Sequence, residues 1–165
     1  MTSLPYKIDP KLDLKFEREV DLTPEQLWAA WTQAEHVVHW FTPAPWKTID
    51  CEIDLRPGGM FKTVMLSPEG ERYPNIGCFL EVVPNRRLVW TNSVGPGFRP
   101  APPQPNDAFF FSASIYIEPL AQGSRYTAVV VHGDEAACHR HAMMGFQEGW
   151  SKALDQLITY MKARD

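Results

Sequence analysis

The sequence predicts an α+β domain in which a seven-stranded antiparallel sheet curves around a long C-terminal helix. Three patterns carry that expectation. From Lys47 to His132, apolar residues recur at every second position in short runs divided by turn residues, as they do in strands with one dry face. From Asp134 to about Ala163 the spacing changes to three and four, the period of an amphipathic helix. Between two of the strand runs stands "DLRPGGMF", residues 54–61, whose adjacent Gly58 and Gly59 suit either a corner in a strongly bent sheet or a plain hairpin turn at positive φ.

The elements follow in order. "LDLKFEREV" alternates Leu12, Leu14, Phe16 and Val20 with charged neighbours and reads as the first strand. "TPEQLWAAW" opens a helix with Thr23 as N-cap, Pro24 at the first helical position and Gln26 three residues after the cap. Leu27, Trp28 and Trp31 form its apolar stripe. A second short helix in "AEHVVHWF" would bury Val37, Trp40 and Phe41 before "TPAP" stops it.

In the next strand Ile49, Cys51, Ile53 and Leu55 fall on one side, and Asp50, Glu52 and Asp54 on the other. "MFKTVML", "IGCFLEVV" and "LVWTNSV" continue an antiparallel meander through the tight connections "SPEG" and "PNR". The thirteen residues "GPGFRPAPPQPND", 95–107, carry five prolines and two glycines, which excludes helix and central strand. "AFFFSASIYIE" and "SRYTAVVVH" supply the last two strands. The tail reads as one helix about 40 Å long, with Met143, Phe146, Trp150, Leu154, Leu157 and Met161 along one stripe. Residues 1–165 are taken as one domain.

Composition narrows the function. With 44% apolar residues, six tryptophans and nine phenylalanines, the chain has the means to build a packed core. Its net charge of −4 and lack of any Lys/Arg cluster argue against a nucleic-acid partner. No apolar run is long enough for a membrane span, and "MTSLPYKIDP" has no secretory pattern, so a cytoplasmic location without membrane partners is expected. Cys51, Cys78 and Cys138 are odd in number and widely spaced, and read as buried thiols. His132, His139 and His141 lie near Cys138, but His139 and His141 fall on nearly opposite sides of a helix, so no metal site is expected. His36 and His39 read as surface or interhelix residues.

Four segments in this order, "REVDLTPEQLWAAWTQAEHVVHWF", "DLRPGGMF", "GCFLEVVPNRRLVWT" and "GW" followed by "LDQL", resemble the pattern of START-like (SRPBCC) proteins. The branch they resemble is the one named after the activator of the heat-shock protein 90 ATPase, and the likeness runs from about Lys15 to Met161. That resemblance implies the helix-grip fold of birch-pollen-allergen-like proteins, with an elongated apolar cavity between curved sheet and final helix. Relatives bind lipids, sterols or plant hormones, or cyclise polyketides. The eukaryotic co-chaperone has a further N-terminal domain that this sequence lacks. Loop 95–107 is longer than the family pattern and would sit near a cavity mouth.

Several residues are candidates for ligand contact. Arg18 shares parity with Phe16 and Val20, and so would face the concave side as an anchor for a carboxylate or enolate, unless a neighbouring Glu pairs it. Tyr126 and His132 share one side of their strand with Ala128 and Val130, as polar handles among aliphatics or as satisfied core groups. Trp90 and Asn92 raise the same alternatives. Gly145 and Gly149, one turn apart beside Met143, Met144, Phe146 and Trp150, suggest a shallow groove with an adaptable apolar wall.

No nucleophile motif, phosphate loop, dinucleotide fingerprint or metal signature occurs, so binding is expected rather than catalysis, with no catalytic residue, cofactor or metal. The leading expectation is a binder of a small hydrophobic or aromatic molecule, touching Arg18, Trp90, Tyr126, His132, Met143, Phe146 and Trp150. The alternatives are a module that docks on a chaperone or other protein, and a cyclase-like enzyme using Arg18 or His132 to stabilise an enolate.

Overall fold

A computed structural model describes residues 4, 6–104 and 108–164 of the chain. Strand β1 (Asp13–Val20) leads into helices α1 (Pro24–Thr32) and α2 (Ala34–Trp40). The meander β2 (Lys47–Ile53), β3 (Met60–Leu66), β4 (Arg72–Val83) and β5 (Arg87–Thr91) follows. A two-stranded ribbon, β6 (Val94–Gly95) and β7 (Arg99–Pro100), flanks a 3₁₀ turn at Pro96–Phe98. Strands β8 (Phe111–Pro119) and β9 (Ser124–His132) precede helices α3 (Glu135–Met143) and α4 (Phe146–Lys162).

The main sheet has seven strands in the order β1-β9-β8-β5-β4-β3-β2, each neighbour antiparallel. The first strand therefore pairs with the last, and the α1–α2 segment carries the chain from one edge of the sheet to the other. That is the predicted α+β architecture. The capping box forms as read: Thr23 Oγ1 accepts from the Gln26 amide at 3.1 Å, while Gln26 Oε1 accepts from the Thr23 amide at 2.8 Å.

The structure departs from the sequence reading at several points, four of which bear on the core and the helices. First, the tail is two helices. Gly145 adopts φ +87°, a left-handed conformation that ends α3 and starts α4, so a glycine read as an interior helical residue is a terminus. Second, Met143 leaves the buried stripe and is 74% exposed, because the stripe of α4 begins only at Phe146. Third, β2 carries a bulge between Thr48 and Asp50, which turns Thr48 inward and leaves Ile49 exposed; Cys51 and Ile53 still pack on the core, and Leu55 lies outside the strand and exposed. Fourth, the strand expected from Ala108 begins at Phe111. Within loop 95–107, positions 105–107 lie outside the described residues.

The glycine pair makes the β2–β3 connection and also joins it to β4. The Gly58 amide donates to the Phe79 carbonyl at 2.8 Å, and the Phe79 amide donates to the Gly59 carbonyl at 3.0 Å. Gly58 sits at φ +84°, and a Cβ on Gly59 would stand 1.9 Å from the Asp54 carbonyl oxygen. A second bulge, between Phe79 and Glu81, adds local bending in β4 beside this junction.

Helix α4 is held on both flanks. Gln156 donates to the carbonyls of Trp40 and Thr42 at 3.0 Å each and accepts from the Ala44 amide at 2.9 Å. On the other flank the Gln147 amide group donates to the Lys15 carbonyl of edge strand β1 at 2.8 Å. His36 and His39 meet Tyr160 between α2 and α4, as interhelix residues. Among the described residues no helix is long and apolar enough to cross a membrane.

Gly59→Ala is expected to destabilise the fold by on the order of 3 kcal/mol, since its Cβ collides with backbone that cannot yield. Gly133→Ala, whose Cβ meets nothing within 4 Å, is expected to be close to neutral. Urea unfolding of the two variants checks the contrast.

Candidate functional site

Aromatic rings cross the space between sheet and helices in a continuous series. The Trp150 ring of α4 lies 6.1 Å from that of Trp31 in α1, nearly parallel at 22°. Trp31 is 5.2 Å from Trp90 on β5, Trp90 is 5.4 Å from Phe61 on β3, and Phe61 stacks on Phe79 of β4 at 5.2 Å. Where the sequence led us to expect a hollow, these rings form part of the core. Trp90, Tyr126, Phe146 and Trp150 are thus brought together, three of them buried and Trp150 partly so.

The polar candidates are each engaged by the protein. Tyr126 is buried, and its hydroxyl accepts from the Trp31 indole N–H at 3.1 Å. Burial drives its phenol strongly upward in pKa, so it remains neutral. Losing this acceptor would leave a buried indole donor unpaired, at about 1–3 kcal/mol. Arg18 does lean toward the final helix, where it pairs with Asp155 at 2.9 Å and donates to the Ser151 carbonyl and hydroxyl at 3.3 Å. Its partner is thus an acid on α4 rather than a neighbouring Glu.

His132 lies at the end of β9 and meets α3. Its Nδ1 is 2.8 Å from the Leu12 carbonyl oxygen, and its Nε2 is 2.9 Å from Nδ1 of His141. The His141 ring is packed among Phe109 at 5.1 Å, Phe111 at 5.6 Å and Phe146 at 5.5 Å. Burial first, and the neighbouring His132 second, push the pKa of His141 down to about 4. Phe146 lies 5.6 Å from Trp150, so the imidazole pair continues the ring series of the core.

Two concavities open along the seam between β1 and α4. One, of about 400 Å³, is lined by Leu14 from β1 and by Ala142, Met143, Gly145, Phe146, Gln147 and Glu148 around the helix break. The other, of about 520 Å³, is lined by Phe16 and by Gln147, Glu148, Ser151, Lys152 and Asp155. The first is the more apolar in its residues. Met143 lines it and is 74% exposed, as is the next residue in the chain, Met144. Gly149 faces away from the expected groove, with the Pro43 ring 4.0 Å from where its Cβ would be.

The structure therefore places Phe146 and Met143 on one open groove and Arg18 farther along the seam, while His132 lies off the groove, paired with His141. Sequence reasoning missed His141, Phe109 and Phe111 as a group. Their union depends on how the end of β9 meets α3, which no local spacing shows. Asn92 has a structural task, with its side chain accepting from the Phe111 amide at 2.8 Å and donating to the Phe109 carbonyl at 3.2 Å. Among the described residues no group of three or more His, Cys, Asp or Glu is arranged to hold a metal ion.

The family of Activator of Hsp90 ATPase homolog 1-like proteins matches residues 21–162. A solved structure from Nitrosomonas europaea is similar over 95% of this chain and 98% of its own, with 41% identity and a TM-score of 0.90. A Rhodobacter sphaeroides protein shares the fold at a TM-score of 0.80 and 22% identity, over 93% of this chain and 94% of its own. So does one from Arthrobacter aurescens, at 0.79 and 21%, over 95% of this chain and 90% of its own. No curated protein matches the chain.

The depressed pKa of His141 links folding to pH. Its ordinary value is 6.5 and its folded value about 4, so between these the unfolded chain binds the extra proton. This contribution to stability is complete above pH 6.5 and declines as pH falls toward 4. Urea midpoints measured from pH 7.5 to 5 are expected to drop in the native protein and to drop less in His141→Gln.

Proposed function

The chain belongs to the family of Activator of Hsp90 ATPase homolog 1-like proteins, and we propose that it binds a small apolar or aromatic molecule at the groove where α3 gives way to α4. One observation carries the reading. Met143 lines a groove walled by Leu14 and Phe146, and both it and the consecutive Met144 stand largely in water. Methionine is flexible and polarizable, so such a pair can fold down over ligands of differing outline. The left-handed Gly145 between the helices lets α3 and α4 be aimed independently, which is what an opening there requires.

The magnitudes are consistent with a ligand of modest size. The groove, at about 400 Å³, lies in the range of small-molecule sites. An aromatic molecule burying roughly 200 Å² of apolar surface gains about 5 kcal/mol before the cost of association. Phe146, a groove residue, offers its ring to a planar ligand, and Trp150, 5.6 Å from that ring, gives an optical reporter. Arg18, Trp90 and Tyr126 then support the walls of the site by holding α4 and Trp31 in place, rather than touching the ligand.

Titration with fatty acids, flavonoids, sterols and fused-ring aromatics, followed by tryptophan fluorescence and thermal shift, is expected to show one class that moves both signals. Replacing Met143 and Met144 together with lysine is expected to weaken that ligand at least tenfold with little change in the unfolding midpoint, since both side chains are exposed. If no class moves either signal while the protein accelerates a chaperone ATPase, docking on that chaperone replaces this reading.

A further inference from the structure

The proline-rich loop carries a regularity that the ligand groove does not use. From Arg99 to Gln104, "RPAPPQ", every residue is a proline or stands directly before one in the sequence. Proline fixes φ at about −65°, and its ring pushes the preceding residue to extended backbone, so both effects favour polyproline II. Arg99 conforms, with φ −72° and ψ 124°. A polyproline II helix has three residues per turn, so its side chains form three ridges. Exposure follows that period: Arg99, Pro100, Pro102 and Pro103 are exposed, whereas Ala101 and Gln104, three apart, are half-buried. One ridge is thus turned to the protein, and the Ala101 amide on it donates to the Ser93 carbonyl at 3.0 Å. The other two ridges, Arg99 with Pro102 and Pro100 with Pro103, are turned to water. The segment is also held at its start. The Gly97 amide donates to the Gly58 carbonyl at 2.7 Å, and Phe98 keeps a left-handed φ of +61° with its ring against Gly58, where an added Cβ would stand 2.8 Å from that ring. A residue other than glycine stays in that conformation only where its surroundings hold it.

We propose that Arg99–Gln104 is a docking ligand for a protein that reads polyproline II: its two exposed ridges enter an aromatic-lined groove of the SH3 type, and Arg99 meets a carboxylate at the end of that groove. Three observations select this partner. Pro100, Pro102 and Pro103 have no N–H, so the segment cannot supply the run of amide donors that addition to a partner's sheet needs. Arg99 is exposed and makes no ion pair among the described residues, so its charge is available to an acidic partner. The extended conformation is already formed and anchored, so little ordering is lost on association, which is the advantage that grooves for proline segments exploit. None of the residues lining the ligand groove lies between 95 and 107, so this surface is separate from that site and stands independently of the ligand-binding reading.

The test titrates the intact protein into a panel of isotope-labelled SH3 domains and follows the signals of their groove aromatics by NMR. At least one domain is expected to bind, with those signals moving. Replacing Pro102 and Pro103 together with alanine is expected to weaken that complex about tenfold or more, since it takes two methylene groups from each exposed ridge. Arg99→Glu is expected to weaken it about fivefold by placing like charges together. All three side chains are exposed, so the unfolding midpoints of both variants are expected to match that of the native protein. Failure of every domain to bind, or binding that survives either variant unchanged, overturns the inference and leaves ligand binding at the helix break standing.

Discussion

The buried indole of Trp31 is the joint on which the fold turns. Rings from α2, β5 and α4 meet it, with Trp40 at 4.9 Å, Trp90 at 5.2 Å and Trp150 at 6.1 Å, and its N–H is spent on Tyr126 of β9. A buried donor of this size has to be paired, and pairing it couples the first helix to the second strand of the sheet in spatial order. Because the same ring also receives Trp150, the position of α4 over the sheet is set by aromatic contact as much as by the polar links along its flanks. Aromatic pairs of this kind add on the order of 1 kcal/mol each beyond the area they bury.

Packing of this kind has a consequence for function. A sheet and helix that close on a set of large rings leave little space in the middle, and the concave space moves outward to where the packing stops. It stops at Gly145, where α3 gives way to α4 and the buried stripe that begins at Phe146 is preceded by the exposed Met143 and Met144. The candidate site is therefore an end of the core laid open, walled by Leu14 and Phe146. The core supplies rigidity and the helix break supplies adjustability, a division that suits a binding protein whose ligand has to enter and leave.

Much of this was legible in the residues. Thr23, Pro24 and Gln26 announced the first helix because N-terminal capping is local chemistry, and "SRYTAVVVH" announced β9 because its alternation spans the whole strand. The order of elements was enough to predict the sheet, and Trp150 and Phe146 were read correctly as one apolar face. What local patterns did not reveal depends on contacts far apart in sequence. Gly145 has the same letter whether it sits inside a helix or between two, and only its φ separates the cases. The bulge at Ile49 is invisible to strict alternation. Arg18 was placed toward the final helix by parity, but its partner, Asp155, lies 137 positions away. His132 and His141 are close in sequence, yet their shared hydrogen bond depends on the angle at which α3 leaves the sheet.

The most direct test of where a ligand sits uses the methionine methyl groups as position markers. Met143 and Met144 flank the helix break, whereas Met161 is buried in the core at the far end of α4. With carbon-13 methyl labels and an aromatic ligand that binds, the account predicts that the Met143 and Met144 signals move during the titration and that Met161 stays in place. Movement of Met161 together with the Trp31 indole N–H, while Met143 and Met144 remain still, would put the ligand between sheet and helix and contradict it.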